Sequence, residues 1–319
     1  MAGPDLCGGN VMGFAVIALA PVFLTILVGV LLGKSGLIKP EHWLGVDQLA
    51  FYVLFPAIIA KSMITADFGD LPVFRMAAVM VSGMVTMQVL MFLFKKPMQL
   101  VLNIDTPAWT SVFQGAGRWH TFLGLAIMPA LFGQPGLALA AVAAAAITPI
   151  SNIASIIVMS IYNSGPRPTF ARIAKTLATN PFILAIFIGL AIKTSGVPIP
   201  AAVLGVLKLT GDGALGVALL SVGAALRIGQ VKGALKPISA AVVLKMAVVP
   251  LFMAFYCYVF GVTGLPRTVA ILAGSVPTAA VSFIFARKMG GDAELMANII
   301  TIQIIVAAFS WPLILYLIT

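Results

Sequence analysis

The chain alternates long apolar runs with short polar stretches. Ten of these runs reach or approach the roughly 20 residues that a helix needs to cross a membrane. They cover approximately Gly13–Leu32, Leu44–Met63, Pro72–Phe94, Trp109–Leu131, Leu137–Tyr162, Leu177–Ile192, Ala201–Leu226, Ile238–Phe260, Val269–Phe285 and Leu295–Ile318. The pattern predicts an all-α polytopic membrane protein with ten transmembrane helices.

The segment Phe113–Gly133, which covers most of the fourth run, cannot be an ordinary membrane helix. Gly115, Gly117, Arg118 and His120 lie together near the middle of this region. In hydrocarbon every backbone polar group needs an internal partner, so a helix is interrupted only where protein or a water-filled cavity surrounds the break. A charge near the bilayer centre costs roughly 2.5–3.5 kcal/mol, so an intramembrane arginine indicates a functional site.

A second interruption is predicted within Gly274–Phe285, because Pro277 removes a backbone donor and clashes with the preceding turn. Pro21–Pro40 and Pro181–Pro200 share proline, glycine and serine positions at a constant offset of 160 residues. At the same offset Gly117 falls on Pro277. Each half then holds five helices, an odd number, so the second half is inverted. Inverted repeats with paired interrupted helices indicate a secondary transporter with a site at the membrane midplane.

Basic residues predict the orientation. Twelve Lys and Arg residues lie in loops that follow odd-numbered helices, and five lie on the other side. The positive-inside rule therefore places the first group in the cytoplasm and both termini outside. The predicted organisation is a first five-helix repeat over residues 1–162, a cytoplasmic connection over 163–176, and an inverted second repeat over 177–319.

Composition supports the membrane class. The chain is 61% hydrophobic and only 9% charged, against about 25% charged residues in soluble domains. The net charge of +10 does not indicate nucleic-acid binding, because the basic residues are scattered between apolar runs. The two cysteines and two histidines have neither disulfide nor zinc spacing, so we predict no metal and no cofactor.

Several polar residues inside apolar runs are candidates for chemistry. Arg118 beside a half-helix N-terminus either binds an anion such as a carboxylate, or is a structural ion-pair partner, for instance of Asp212, or caps carbonyl groups of the broken helix. His120 either responds to pH, since the unperturbed pKa of histidine is about 6.5, or forms a hydrogen bond with a neighbouring helix. Asp212 and Lys245 either join a coupling-ion route or form ion pairs. No enzyme constellation is predicted, because no second aspartate lies well inside a helix to pair with Asp212.

The fifth run carries a polar stripe within about two turns, formed by Thr148, Ser151, Asn152 and Ser155. Helical spacing places Thr148, Asn152 and Ser155 on one face. The stripe either lines a site around Asn152 or forms interhelical hydrogen bonds. Gln303 in the tenth run is the corresponding polar residue and a weaker candidate.

Six segments spread over nearly the whole chain carry a family resemblance. They are Phe51–Ala60, Gly117–Ile127 (GRWHTFLGLAI), Thr148–Ile156 (TPISNIASI), Thr179–Ala185, Leu219–Leu226 and Ser275–Gln303, the last of which is the most specific. Through them the sequence resembles the bacterial branch of the auxin efflux carrier family of membrane transporters. Relatives usually have Asn where this chain has His120.

The resemblance implies a fold akin to bile-acid sodium symporters. Helices 1, 2, 6 and 7 would form a scaffold, often dimeric, and helices 3–5 and 8–10 a mobile transport domain with crossed helices 4 and 9. The expected substrate site comprises Gly117, Arg118, His120, Asn152, Ser275, Pro277, Thr278 and Gln303.

The expected function is secondary active transport of a small organic anion, a carboxylate, across the bacterial inner membrane. A proton or sodium would be the coupling ion. The alternatives are a uniporter or exporter of auxin-like weak acids and, from other classes, a membrane sensor or an intramembrane hydrolase. Beyond the substrate, the expected partners are membrane lipid and a second copy of the chain.

Overall fold

The computed structural model describes residues 11–65, 72–163, 169, 171, 174–175, 178–226 and 234–318. Within these residues the chain is helical and forms no strand. Seven helices or continuous helical runs are long and apolar enough to cross a membrane. The chain is therefore a multi-pass helical membrane protein, as predicted. The count of ten spans and the inverted repeat stay predictions.

The helices follow one another with short connections. They are α1 (Val11–Ser35), α2 (Pro40–Leu49), α3 (Phe55–Thr65), α4 (Val73–Leu93), α5 (Lys95–Leu102), α6 (Thr106–Gly117), α7 (Thr121–Tyr162), α8 (Pro181–Ser195), α9 (Ala201–Asp212), α10 (Ala214–Ala225), α11 (Leu235–Val243), α12 (Val249–Phe260), α13 (Gly264–Gly274), α14 (Val281–Met289) and α15 (Ala293–Ile318). Two π-helical turns, Ala50–Leu54 and Leu244–Val248, join α2 to α3 and α11 to α12.

Helix α7 bends at Gly133, between the fourth and fifth predicted runs. Gly133 has φ 62° and ψ −147°, a conformation that glycine tolerates because it has no Cβ atom. Two boundaries differ from the prediction. Helix α5 lies in a segment where the sequence predicts a loop. Helix α8 begins at Pro181 rather than at the predicted Leu177, because the Asn180 side chain accepts hydrogen bonds from the first free N–H groups of the helix. Most of the predicted connection over residues 163–176 lies outside the described residues.

Glycines bring two pairs of helices into close contact. A Cβ atom at Gly29 of α1 would lie 2.2 Å from the carbonyl oxygen of Leu220 in α10. A Cβ atom at Gly189 of α8 would lie 2.9 Å from the carbonyl oxygen of Ala60 in α3. Gly29 and Gly189 differ by 160 in number, and so do Ala60 and Leu220. The two contacts are therefore equivalent under this offset, and each joins a helix of the first half to a helix of the second half.

Both predicted interruptions are present. Helix α6 ends at Gly117 and α7 begins at Thr121, so Arg118 to His120 are not helical. Helix α13 ends at Gly274, and α14 begins at Val281. The second interruption is the longer of the two.

Candidate functional site

The two interruptions meet in the core of the protein. The backbone N–H of His120 donates to the carbonyl oxygen of Pro277 over 2.8 Å. The indole N–H of Trp119 donates to the carbonyl oxygen of Ala273 over 2.9 Å. Helix ends leave backbone groups without intrahelical partners, and these bonds supply such partners.

The Gln303 side chain of α15 forms hydrogen bonds at the point where the two interruptions meet, which we call the crossing. Its Oε1 accepts from the backbone N–H of Thr278 at 2.9 Å. Its Nε2 donates to the carbonyl oxygens of Gly115 at 2.9 Å and of Ala241 at 3.1 Å. Gln303 is fully buried, so one side chain joins α6, α11 and the second interruption.

Two other side chains satisfy carbonyl groups at the end of α6. Gln88 of α4 donates from Nε2 to the carbonyl oxygen of Gly117 at 3.0 Å. The Thr278 hydroxyl donates to the carbonyl oxygen of Gln114 at 3.0 Å. The end of α6 is therefore held from both the first and the second half of the chain.

Arg118 is buried, with 2% of its surface exposed. Its Nη1 donates to Gln114 Oε1 at 3.3 Å and its Nη2 to Asn152 Oδ1 at 2.6 Å. The guanidinium carbon lies 4.4 Å from the centre of the Phe285 ring. Both hydrogen-bond acceptors are neutral amides, so these contacts orient the guanidinium without neutralising its charge.

The alternative of an Arg118–Asp212 ion pair does not fit the structure. Asp212 forms an ion pair with Lys208 at 2.5 Å, and both side chains are more than half exposed. In the part of the chain that the structure describes, no carboxylate lies within salt-bridge distance of Arg118. Arg118 is therefore a buried cation without an acidic partner there.

A cavity of about 800 Å³ lies beside the first interruption, which is within the size range of small-molecule sites. One wall is contributed by α1, α2 and α10, with lining residues that include Gly33, Lys34, Trp43, Asp47 and Ser221. The other wall is contributed by the interruption, α7 and α14, with lining residues that include Arg118, His120, Asn152, Phe283 and Phe285.

Similarity to known proteins points to one class. A family model described as Membrane transport protein matches residues 166–315. The resemblance to auxin efflux carriers is confirmed. An uncharacterized transporter of Methanothermobacter thermautotrophicus is 23% identical over 300 residues, which cover 92% of this chain and 94% of that protein. Both comparisons support a membrane transporter, and proteins of that class are generally not enzymes.

The residues expected to bind substrate in an auxin efflux carrier fall into two groups. Arg118, His120 and Asn152 line the cavity. The other five hold or flank the crossing and are not among the described residues that line the cavity: Gly117, Ser275, Pro277, Thr278 and Gln303. Substrate contact by any of these residues stays a prediction.

The polar stripe of α7 turns toward the cavity. Thr148, Ser151 and Asn152 line it, and the Thr148 hydroxyl forms a 3.1 Å hydrogen bond with that of Thr121. Within the described residues, Nε2 of His120 and the hydroxyl of Ser151 have no hydrogen-bond partner. Both atoms are buried, and their hydrogen-bonding capacity is unused in the described part of the chain.

Lys245 lies apart from the cavity. It is fully buried in the π-helical turn between α11 and α12. Its Nζ has no hydrogen-bond partner among the described residues, and it is not among those that line the cavity. Lys245 stays a candidate for ion coupling, because burial of an unpaired cation is costly.

Sequence reasoning missed Asp47. This aspartate lies near the end of α2 and lines the cavity. The signal was a carboxylate near the start of the second predicted run. Asp47 and Asp212 do not form the pair of carboxylates that a hydrolase would need. Asp212 is paired with Lys208 and is not among the described residues that line the cavity with Asp47.

Proposed function

We propose that this protein is a secondary active transporter that moves a small organic anion, a carboxylate, across the inner membrane. The main support is Arg118, a buried cation at a cavity wall whose hydrogen bonds go to neutral amides. An anionic ligand would supply the missing negative charge. The planar guanidinium fork matches the two oxygens of a carboxylate.

The proposed architecture has ten transmembrane helices in two inverted repeats. Its support is the close contact that occurs twice at an offset of 160 residues, once between Gly29 and Leu220 and once between Gly189 and Ala60. The partners exchange roles between the two contacts, as an inverted repeat requires. The interruptions follow the same offset, since Gly117 corresponds to Pro277.

The proposed mechanism is elevator-like alternating access. Helices α1, α2–α3, α8 and α9–α10 would form the scaffold, and α4, α6–α7 and α11–α15 the mobile transport domain. Both groups of helices contribute residues to the cavity lining. Movement of one group against the other would therefore change the side of the membrane from which a substrate can enter the cavity. Lys34 and Leu226 line the cavity at helix ends that are predicted to be cytoplasmic, which favours an inward-open state with both termini periplasmic.

We prefer a proton as the coupling ion. Among the described residues, no group of three or more histidine, cysteine or acidic side chains could hold a metal ion. Sodium held by backbone carbonyls at the interruptions is the alternative. Uptake that requires sodium at a constant pH gradient would overturn the proton version.

The experiment is uptake of labelled mono- and dicarboxylates, auxin-like acids included, into proteoliposomes under imposed pH and sodium gradients. We expect the wild type to accumulate one of these acids and Arg118→Gln to lose that uptake. Lys208→Gln is the matched control, because it removes an exposed cation outside the cavity. Equal uptake by wild type and Arg118→Gln would refute an anion site at the first interruption.

A uniporter or exporter of hydrophobic weak acids is the second candidate. The observation in its favour is the aromatic lining of the cavity, which includes Trp43, Phe51, Phe122, Phe283 and Phe285. Uptake that follows the substrate gradient alone, with no response to either ion gradient, would favour this candidate.

A further inference from the structure

The cavity contains an acidic group that binding of a simple anion does not use. Asp47 of α2 lines the same cavity as Arg118, and it is the sole carboxylate among the described lining residues. The Ser221 hydroxyl of α10 donates to its Oδ1. No Lys or Arg in the described part of the chain lies within salt-bridge distance of it, although Lys34 also lines the cavity.

The neighbours of Asp47 on its helix are aromatic. Trp43 and Phe51 lie four residues before and after it, and all three side chains line the cavity. Residues four apart share a helix face. Aromatic faces attract ammonium groups through the ring quadrupole, and a carboxylate between them supplies the opposite charge. This combination suits an organic cation better than a second anion.

The cavity therefore has a guanidinium on one wall, and on the other wall a carboxylate together with Lys34, which is not within salt-bridge distance of it. A ligand that carried only negative charge would be attracted by Arg118 and repelled by Asp47, and charges interact strongly where water is partly excluded. A ligand with both charges would satisfy both walls.

We propose that the transported carboxylate also carries an ammonium group, so that the substrate is an amino-carboxylic acid. Its carboxylate contacts Arg118, and its ammonium group contacts Asp47 between Trp43 and Phe51. This proposal rests on the proposed function, because it takes the Arg118 site as the site of the transported carboxylate. It adds Asp47 as a residue that determines specificity.

The test uses pairs of acids that differ by the amino group alone. The labelled probes are phenylalanine with 3-phenylpropanoate and 5-aminopentanoate with pentanoate, each measured as uptake into proteoliposomes. In the first pair the two charges are close together and in the second they are far apart. The proteins are wild type, Asp47→Asn, Arg118→Gln and Asp212→Asn. The last is a matched control that removes an exposed carboxylate outside the cavity.

We expect the wild type to take up at least one amino member about tenfold faster than its partner, the scale of one charge-assisted hydrogen bond. Asp47→Asn should abolish this preference, Asp212→Asn should keep it, and Arg118→Gln should lose uptake of both members. Trp43→Leu keeps the carboxylate and removes one ring. It should lower uptake of the amino member by a few fold, which supports the site even if Asp47→Asn folds poorly.

Three results would overturn the proposal and leave the proposed function intact. The first is Arg118-dependent uptake in which the partner without the amino group is taken up as well or better. The second is a wild-type preference that Asp47→Asn keeps. The third is a form of the second: Asp47→Asn keeps the preference for the amino member but its uptake no longer responds to a proton gradient. That result would make Asp47 a proton-binding residue. If no acid of either kind enters wild-type vesicles, the proposed function fails as well.

Discussion

The two interruptions lie 160 residues apart along the chain, yet their chemistry differs. At this offset Arg118 corresponds to Thr278. Arg118 lines the cavity, whereas Thr278 is not among the described lining residues and its hydroxyl donates to the carbonyl oxygen of Gln114. The first interruption contributes Arg118 and His120 to the cavity lining, whereas the second contributes Ala279 and Ala280 and bonds to the first through Pro277 and Thr278. Positions related by the sequence offset therefore do not require similar chemistry.

The difference has a physical origin. An interruption exposes backbone groups that need partners, and Pro277 contributes a carbonyl but no N–H. That carbonyl accepts from His120, while the N–H of Thr278 donates to Gln303. The second interruption thus uses its polar groups within the protein. The comparison predicts that changes at the second interruption reduce stability, whereas changes at the first reduce ligand binding.

The largest expected effect is that of Gln303→Leu. Three backbone groups would lose their partner inside the protein, and each unsatisfied buried group costs about 1–3 kcal/mol. We expect a loss of about 3 kcal/mol in the free energy of unfolding, measured by thermal or denaturant unfolding in detergent. Gln134→Leu, at an exposed position of α7, should change little. Unchanged stability of Gln303→Leu would show that the crossing does not depend on this side chain.

A carboxylate placed beside Arg118 should compete with the substrate. In Asn152→Asp the new carboxylate would occupy the position of the amide oxygen that now lies 2.6 Å from Arg118 Nη2. We expect at least about a tenfold loss of apparent substrate affinity, or about 1.4 kcal/mol, without loss of thermal stability. The measurement is the concentration dependence of uptake. Asn152→Ser, which adds no charge, should weaken binding less. Equal affinity of Asn152→Asp and wild type would argue against a ligand at Arg118.

A smaller effect is expected for Thr278→Val, which keeps the shape of the side chain and removes the hydroxyl. The lost bond to Gln114 should cost about 0.6–1 kcal/mol, the scale of interhelical hydrogen bonds in membranes. The melting temperature should fall, and the substrate affinity of the remaining folded protein should be kept. Thr194→Val, whose hydroxyl bonds within its own exposed helix, is the control. A selective loss of affinity would place Thr278 in the ligand site.

The smallest effect is expected for His120→Asn, the residue that relatives usually have here. The Nε2 atom of His120 has no partner among the described residues, and the bond to Pro277 comes from the backbone. We expect a change of about 0.5 kcal/mol or less in the free energy of unfolding, below the average interhelical bond. Uptake and its response to a pH gradient should persist. Loss of that response would make His120 the group that carries the coupling proton.

Local sequence signals identified some of the site but not the role of each residue. Arg118 and His120 stand out because polar residues are rare in apolar runs, and both line the cavity. Gln303 is also a polar residue in an apolar run, yet its partners are backbone groups 25, 62 and 188 residues away. Nothing near Gln303 in the sequence indicates that these groups would occupy all of its hydrogen-bonding capacity.

The sequence by itself determined the helical membrane class, the places of both interruptions and the presence of a buried arginine. These properties depend on hydropathy and on proline and glycine, whose effects extend over a few residues. Only the tertiary structure decided which polar groups face the cavity and which join helices. The contact of Asp47 with Ser221 spans 174 residues. A residue's hydrogen-bond partners depend on how distant helices pack, which no local pattern records.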